Sequence, residues 1–323
     1  MLHFDAAVLE EAQRFNRKLA LAPRFKVRNR WTPRLVQALL RVGQLGAKHR
    51  LARMGVAVER RIAVADRLTV PVRILRPAGT VRGVVLDMHG GGWVIGNATM
   101  NDKLNAALAT ACGVMVVSVD YRLAVDTPVQ DVMDDCLAAA RWLLEGGLGE
   151  AEGLPVILVG ESAGGHLAAA TLLRLKAWPE LLHKIAGAVL YYGVYDLAGT
   201  PSVHAAGTDT LVLDGPGMVT GLRMLTPDLN DAERRHAPLS PLYGDLEGMP
   251  PALMFAGERD PLRDDTLGMA ERWRRHAEVE MQLLPEAPHG VIHFPTRMAA
   301  LITARSHAWI RERIEAWERM PAS

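Results

Sequence analysis

Apolar residues fall at helical spacing from Asp5 to Ala20, Pro23 breaks the run, and Thr32-Pro33 supplies a cap and first-turn pair for a second helix reaching Met54. Val56–Val64 and Leu68–Leu75 then read as two β-runs joined across Ala65-Asp66-Arg67, a hairpin at the start of a sheet. After Pro77 the pattern changes. Val84–Met88, Val114–Val119, Pro155–Val159, Ala186–Tyr192 and Ala252–Ala256 are short, dense apolar runs, the kind buried on both faces of a parallel sheet. Helical stretches lie between them at 101–111, 130–145 and 162–176, and Glu278–Leu284 and Thr296–Trp317 add a last strand and a closing helix. Alternating strand and helix predict an α/β fold built on right-handed crossovers. One segment, 199–246, breaks the rhythm with its glycines and prolines around a single helix at Met218–Leu225, and reads as an insertion at the carboxyl end of a strand, where pockets are built.

Composition narrows the function classes. Among 323 residues, 37 Lys and Arg face 36 Asp and Glu, a net charge of +1 that disfavours a nucleic-acid binder. The chain is 49% hydrophobic and 23% charged, which is globular, not disordered. Cys112 and Cys136 sit in no metal-ligand spacing and read as buried thiols in a reducing cytoplasm. The first residues lack the basic region and apolar core of a signal peptide, and no run is long enough to span a bilayer, so a soluble, cytoplasmic protein is expected. The charge is uneven, however: Arg24, Lys26, Arg28, Arg30, Arg34, Arg41, Lys48, Arg50 and Arg53 cluster near the N-terminus. That cluster reads either as a site for anionic surfaces or, with the better prior, as a solvated helix face.

Chemistry concentrates where strands end. Gly160-Glu161-Ser162-Ala163-Gly164 joins an apolar run to a helical stretch, the context of a nucleophile elbow, and the helix would aim the Ala163 amide at charge forming beside Ser162. A bare GxSxG is weak; this placement strengthens it. His89-Gly90-Gly91-Gly92-Trp93 follows another strand, and its glycine amides could approach a substrate to hold an oxyanion. It lacks the spacing of a phosphate or dinucleotide loop, and His89 is expected to shape the turn. A serine needs a histidine to take its proton and an acid to orient that histidine. Asp260 follows the strand at 252–256, whereas Asp264 and Asp265 open the next helix and suit its dipole. His289 follows the last strand, with His293 as rival. Ser, acid, His is the chain order of α/β-hydrolases.

Four blocks, HGGGW at 89–93, DYRLA at 120–124, GESAGG at 160–165, and DPLRDD with HG at 260–265 and 289–290, resemble the bacterial hormone-sensitive-lipase-like esterases of the α/β-hydrolase superfamily over roughly Gly83 to Ile310. The resemblance implies Ser162 as nucleophile, Asp260 and His289 as its partners, and Gly91, Gly92 and Ala163 as oxyanion-hole amides. It implies cap helices over residues 1–54, a catalytic domain over 55–323, and a cap contribution from the insertion. It also implies a small ester as substrate, no cofactor or metal, and dimers through a sheet edge. Four positions depart from the family pattern: Glu161 stands for Asp, Val125-Asp126 for Pro-Glu, and Val291 for Phe, a smaller side chain beside the histidine. Trp93, Tyr192 and Val291 are the expected pocket residues, and Tyr191 and Tyr195 could line it too, although buried aromatics at strand ends more often belong to the core. The leading expectation is a serine carboxylesterase for short acyl esters. The alternatives are an amidase or acyltransferase with the same residues, or a non-catalytic receptor of the same fold.

Overall fold

The computed structural model describes residues 2–26 and 31–320, without the side chain of Lys48, so Arg28 and Arg30 of the basic cluster lie outside the described residues. Strands β1 (Ala57–Ala65), β2 (Leu68–Arg76), β3 (Gly83–Met88), β4 (Val114–Val119), β5 (Val156–Glu161), β6 (Ile185–Tyr191), β7 (Ala252–Gly257) and β8 (Val279–Leu284) form one sheet in the order β1-β2-β4-β3-β5-β6-β7-β8. β1 and β2 form the expected antiparallel hairpin, β2 pairs antiparallel with β4, and every other pairing is parallel.

The dense apolar runs are explained by two cores, one on each face, between which successive strand residues alternate. Leu86, Val117, Leu158, Leu190 and Met254 enter one core with α5 (Val129–Leu144), α6 (Ala163–Leu175) and α11 (Arg263–Trp273). Val85, Val116, Ile157, Val189 and Leu253 enter the other, with α4 (Asp102–Cys112) and α12 (Arg297–Glu318). Gly187 is what admits Trp309 of α12 onto β6: a Cβ there would lie 2.5 Å from the indole. α1 (Ala6–Leu19) begins at Asp5, whose carboxylate accepts the Val8 amide at 2.8 Å, and packs against α12.

The single second helix expected as far as Met54 is instead two, α2 (Trp31–Gly43) and α3 (Ala47–Arg53), and Thr32-Pro33 lies inside α2. The break falls at Gly46, whose φ of +77° is left-handed, a conformation glycine adopts without Cβ strain. Short helices α7 (Pro179–Leu182), α8 (Pro201–His204) and α10 (Asp231–Arg234) lie outside the predicted set, while α9 spans the expected Met218–Leu225. Among the described residues, no helix is long and apolar enough to cross a membrane.

From β3 the chain goes to β4 on one side, and from β4 it crosses back over β3 to β5 on the other. Such a reversal opens a crevice at the carboxyl ends of β3 and β5, where ligands bind in open α/β sheets. The glycine loop after β3 and Ser162 after β5 flank it.

Candidate active site

Ser162 sits on the turn between β5 and α6 with φ +53° and ψ −120°, a region that β-carbon crowding makes costly for any residue but glycine. Its amide donates to the Tyr191 carbonyl at 2.9 Å, which pins the turn to β6. The flanking glycines are forced by close approach: a Cβ on Gly164 would lie 1.9 Å from the Met88 carbonyl oxygen, and one on Gly160 2.3 Å from that of Gly164.

Asp260, from the loop after β7, and His289, from the loop after β8, converge on this serine. His289 Nε2 lies 2.9 Å from Ser162 Oγ, and Nδ1 lies 2.8 Å from Asp260 Oδ2. A carboxylate can only accept, so the imidazole proton belongs on Nδ1 and Nε2 is free to accept from the serine hydroxyl. Both partners are buried, and Asp260 Oδ1 accepts the Leu262 amide at 2.9 Å, which fixes the carboxylate.

The rival histidine is engaged elsewhere. Gly290, at φ +74°, turns the chain into a short helical turn, and His293 donates from Nε2 to Glu161 Oε2 at 2.6 Å. Tyr192 donates to the same oxygen at 3.0 Å and sets its ring edge-on to His289, 4.8 Å between centroids. Burial alone would raise the Glu161 carboxyl, but the charge and hydrogen bond of His293, with Tyr192, outweigh it and hold it at about 2. Burial lowers His293 less than Glu161 raises it, so its net shift is upward.

A pH dependence follows. Glu161 falls from an ordinary 4.5, so its share of stability is full above pH 4.5 and is lost as pH drops toward 2. His293 rises from 6.5, so its share is full below 6.5 and is lost as pH climbs through the raised folded value. The stability difference between wild type and His293→Ala should therefore be widest between pH 4.5 and 6.5 and narrow on either side, as measured by urea unfolding across pH.

The glycine loop is braced from below. His89 is buried and stacks on Tyr121 at 4.1 Å, Tyr121 donates to the His89 carbonyl at 2.6 Å, and Ala124 donates to the Trp93 carbonyl at 2.8 Å. Arg122 anchors the same segment through two bonds to Asp135, at 2.9 and 2.8 Å. Trp93 donates to His166, 3.2 Å away, and His166 donates to the Leu239 carbonyl at 2.9 Å; burial pushes His166 down to about 4, so it stays neutral in this chain. At Gly91, φ +112°, a Cβ would lie 2.1 Å from the Ile95 carbonyl oxygen. Gly92 shares a cavity of about 1000 Å³ with Ser162.

Of the expected pocket residues, Trp93 lines that cavity. Tyr192 and Val291 do not: both are buried beneath the site in the core that also holds Tyr191, while Tyr195 lies in the opposite core. Sequence reasoning missed the cavity's other walls, Phe25, Lys26 and Pro33 from the N-terminal segment and Leu213, Met218, Leu222 and Leu225 from the insertion. These walls are tied together: Phe25 and Leu213 form a β-bridge, Lys26 forms an ion pair with Asp214 at 2.8 Å, and the Phe25 amide donates to the Val212 carbonyl at 2.6 Å. The break in rhythm at 199–246 points to the insertion's share of these walls, and an aromatic within a basic linker is the further signal for Phe25. Asp265, expected to serve its helix dipole, instead accepts the Tyr195 and Asp196 amides and the Thr200 hydroxyl at 2.6, 2.9 and 2.6 Å, bracing the start of the insertion. Among the described residues, no group of His, Cys, Asp and Glu is arranged to hold a metal ion.

Comparison with known proteins identifies the family of this fold. Residues 85–293 match the model of a family described by its alpha/beta hydrolase fold. Carboxylesterase NlhH of Mycobacterium tuberculosis is 35% identical over 274 residues, 80% of this chain and 83% of that protein. Ethyl acetate hydrolase of Pseudomonas putida is 32% identical over 256 residues, 75% of this chain and 76% of its own. A solved esterase of the bacterial hormone-sensitive lipase family superimposes with a TM-score of 0.74 at 26% identity, covering 97% of this chain and 100% of its own. The fold, the extent of the match and the relatives' identity agree, and the chain belongs to the α/β-hydrolase family, among its hormone-sensitive-lipase-like esterases.

Proposed function

We propose that the protein is a serine carboxylesterase that hydrolyses short-chain acyl esters through an acyl-enzyme. One observation carries the reading: Ser162 Oγ, His289 Nε2 and Asp260 form a continuous hydrogen-bonded relay, with links of 2.9 and 2.8 Å, at the edge of a large, partly apolar cavity. Ser162 Oγ attacks the ester carbonyl carbon while His289 Nε2 takes its proton. The carbonyl oxygen becomes an oxyanion held by the amides of Gly91, Gly92 and Ala163, the last of these reinforced by the α6 dipole. As the tetrahedral intermediate collapses, the carbon–oxygen bond to the alcohol breaks and His289 returns the proton to the leaving oxygen. Water, deprotonated by His289, repeats the addition on the acyl-enzyme and releases the acid.

In this reading the N-terminal segment as far as residue 54 and the 199–246 insertion are a cap, and Leu213, Met218, Leu222 and Leu225 offer its apolar surface to the substrate. The cytoplasm is the proposed compartment, supported by two buried cysteines that form no disulfide. Dimerisation through a sheet edge would use β1 or β8, the terminal strands. A binding-only role gains nothing from an intact proton relay.

The test is hydrolysis of p-nitrophenyl acetate, butyrate, octanoate and palmitate by the folded protein. Turnover should be greatest with acetate or butyrate. No turnover of any of the four by protein with a native circular-dichroism spectrum would overturn the reading.

A further inference from the structure

We propose that α2 is an interfacial helix that lies on an anionic lipid surface. Its inner face is buried through Pro33 and Gln37, and Gln37 exchanges two hydrogen bonds with Gly96, at 2.7 and 2.8 Å, just past the glycine loop. The opposite face is apolar and open to solvent. Leu35 and Leu39 are each 65% exposed, Val42 64% and Leu45 73%; their spacing of three and four residues continues one stripe from Trp31, itself 74% exposed, into the turn after the helix. Four large apolar side chains aligned on one helix face and left in water mark an interaction surface.

Charge says what meets it. Residues 21–58 contain nine Lys and Arg and no acid, so with +1 overall the rest of the chain is net acidic. Arg34 and Arg41 fall seven residues apart on one flank of the stripe. Arg34 lies over the Trp31 ring at 5.3 Å and is already paired with Asp126, whereas Arg41 makes no ion pair among the described residues. An apolar stripe with a cationic flank matches acyl chains beneath anionic headgroups. A second copy packed antiparallel on this stripe would set the two cationic flanks on the same side, against each other. Since Pro33 of the same helix lines the ester cavity, docking would bring that cavity beside the lipid surface, within reach of esters dissolved there. This last step rests on the esterase reading; the docking does not.

The experiment is co-flotation of the full chain, as the Ser162→Ala variant so that turnover plays no part, with phosphatidylcholine vesicles made with and without phosphatidylglycerol. Binding should need phosphatidylglycerol and weaken with salt, fall about tenfold or more in Leu35→Glu/Leu39→Glu, and fall by a smaller factor in Arg41→Glu. Both variants, returned to a Ser162 background, should hydrolyse a water-soluble ester as wild type does, which shows that they fold. Three results would overturn the proposal: no flotation with either vesicle, flotation unaffected by the leucine substitutions, or a solution mass that those substitutions halve, which would assign the stripe to a second copy.

Discussion

Replacing Ser162 with alanine should lower kcat toward p-nitrophenyl butyrate by about 10⁵-fold or more, because His289 then has no hydroxyl to deprotonate and only oxyanion stabilisation and binding remain. The elbow adds a second, independent expectation. At φ +53° and ψ −120° a β-carbon is strained, at a cost of about 1–3 kcal/mol. Alanine keeps that carbon and glycine lacks it. Ser162→Gly should therefore be as inactive as Ser162→Ala yet more stable by about 1 kcal/mol, the strain relief less the extra freedom glycine gives the unfolded chain. In a protein of this size that is a rise in Tm of about 1–2 °C. Steady-state hydrolysis with differential scanning calorimetry on the pair checks both. Residual turnover near wild type in Ser162→Ala would remove the serine from the chemistry. Equal Tm values would show that the elbow carries no strain.

The strain also explains why the elbow is legible in the sequence. Only a glycine-flanked serine between an apolar strand and a helix can be held this way, and Gly160 and Gly164 are tied to backbone atoms within about 2 Å of where a Cβ would stand. The strands are legible because burial on both faces leaves little room for polar residues. The break between α2 and α3 is not, since apolar spacing runs through Gln44–Gly46 and only the left-handed Gly46 interrupts it. Periodicity gives a stripe its direction along the helix but not what lies against it, so it does not reveal the outward turn of Leu35, Leu39 and Val42. The same limit puts Tyr192 and Val291 at the pocket in a reading by sequence, when the chain carries both beneath it. Glu161 reads as a conservative departure beside the nucleophile. Its partner His293 is 132 positions away, and nothing local in either segment announces the pair.

His289 and His293 illustrate how four residues of loop separate chemistry from support. His289→Ala should lower kcat by about 10⁴–10⁶-fold, comparable to loss of the serine, because groups that act as one unit fail together. It should also cost about 1–3 kcal/mol, since the buried Asp260 Oδ2 loses its bond from His289 while only Oδ1 keeps the Leu262 amide. His293→Ala should cost stability while largely sparing the chemistry. It leaves the Glu161 carboxylate buried with only neutral donors, Tyr192 and Asn101, to answer its charge, and breaking a buried pair from one side leaves an uncompensated ion. Because 35% of the His293 side chain is open to water, the cost should be about 1–3 kcal/mol, below that of a fully buried pair. Activity should remain within about tenfold of wild type, the loss arising through Tyr192, whose ring packs edge-on against His289. His293→Gln, which can still donate to Glu161, should recover part of the stability. Kinetics and urea unfolding on the three variants separate the roles, and a His293→Ala enzyme as dead as His289→Ala yet still folded would exchange the assignments of the two histidines.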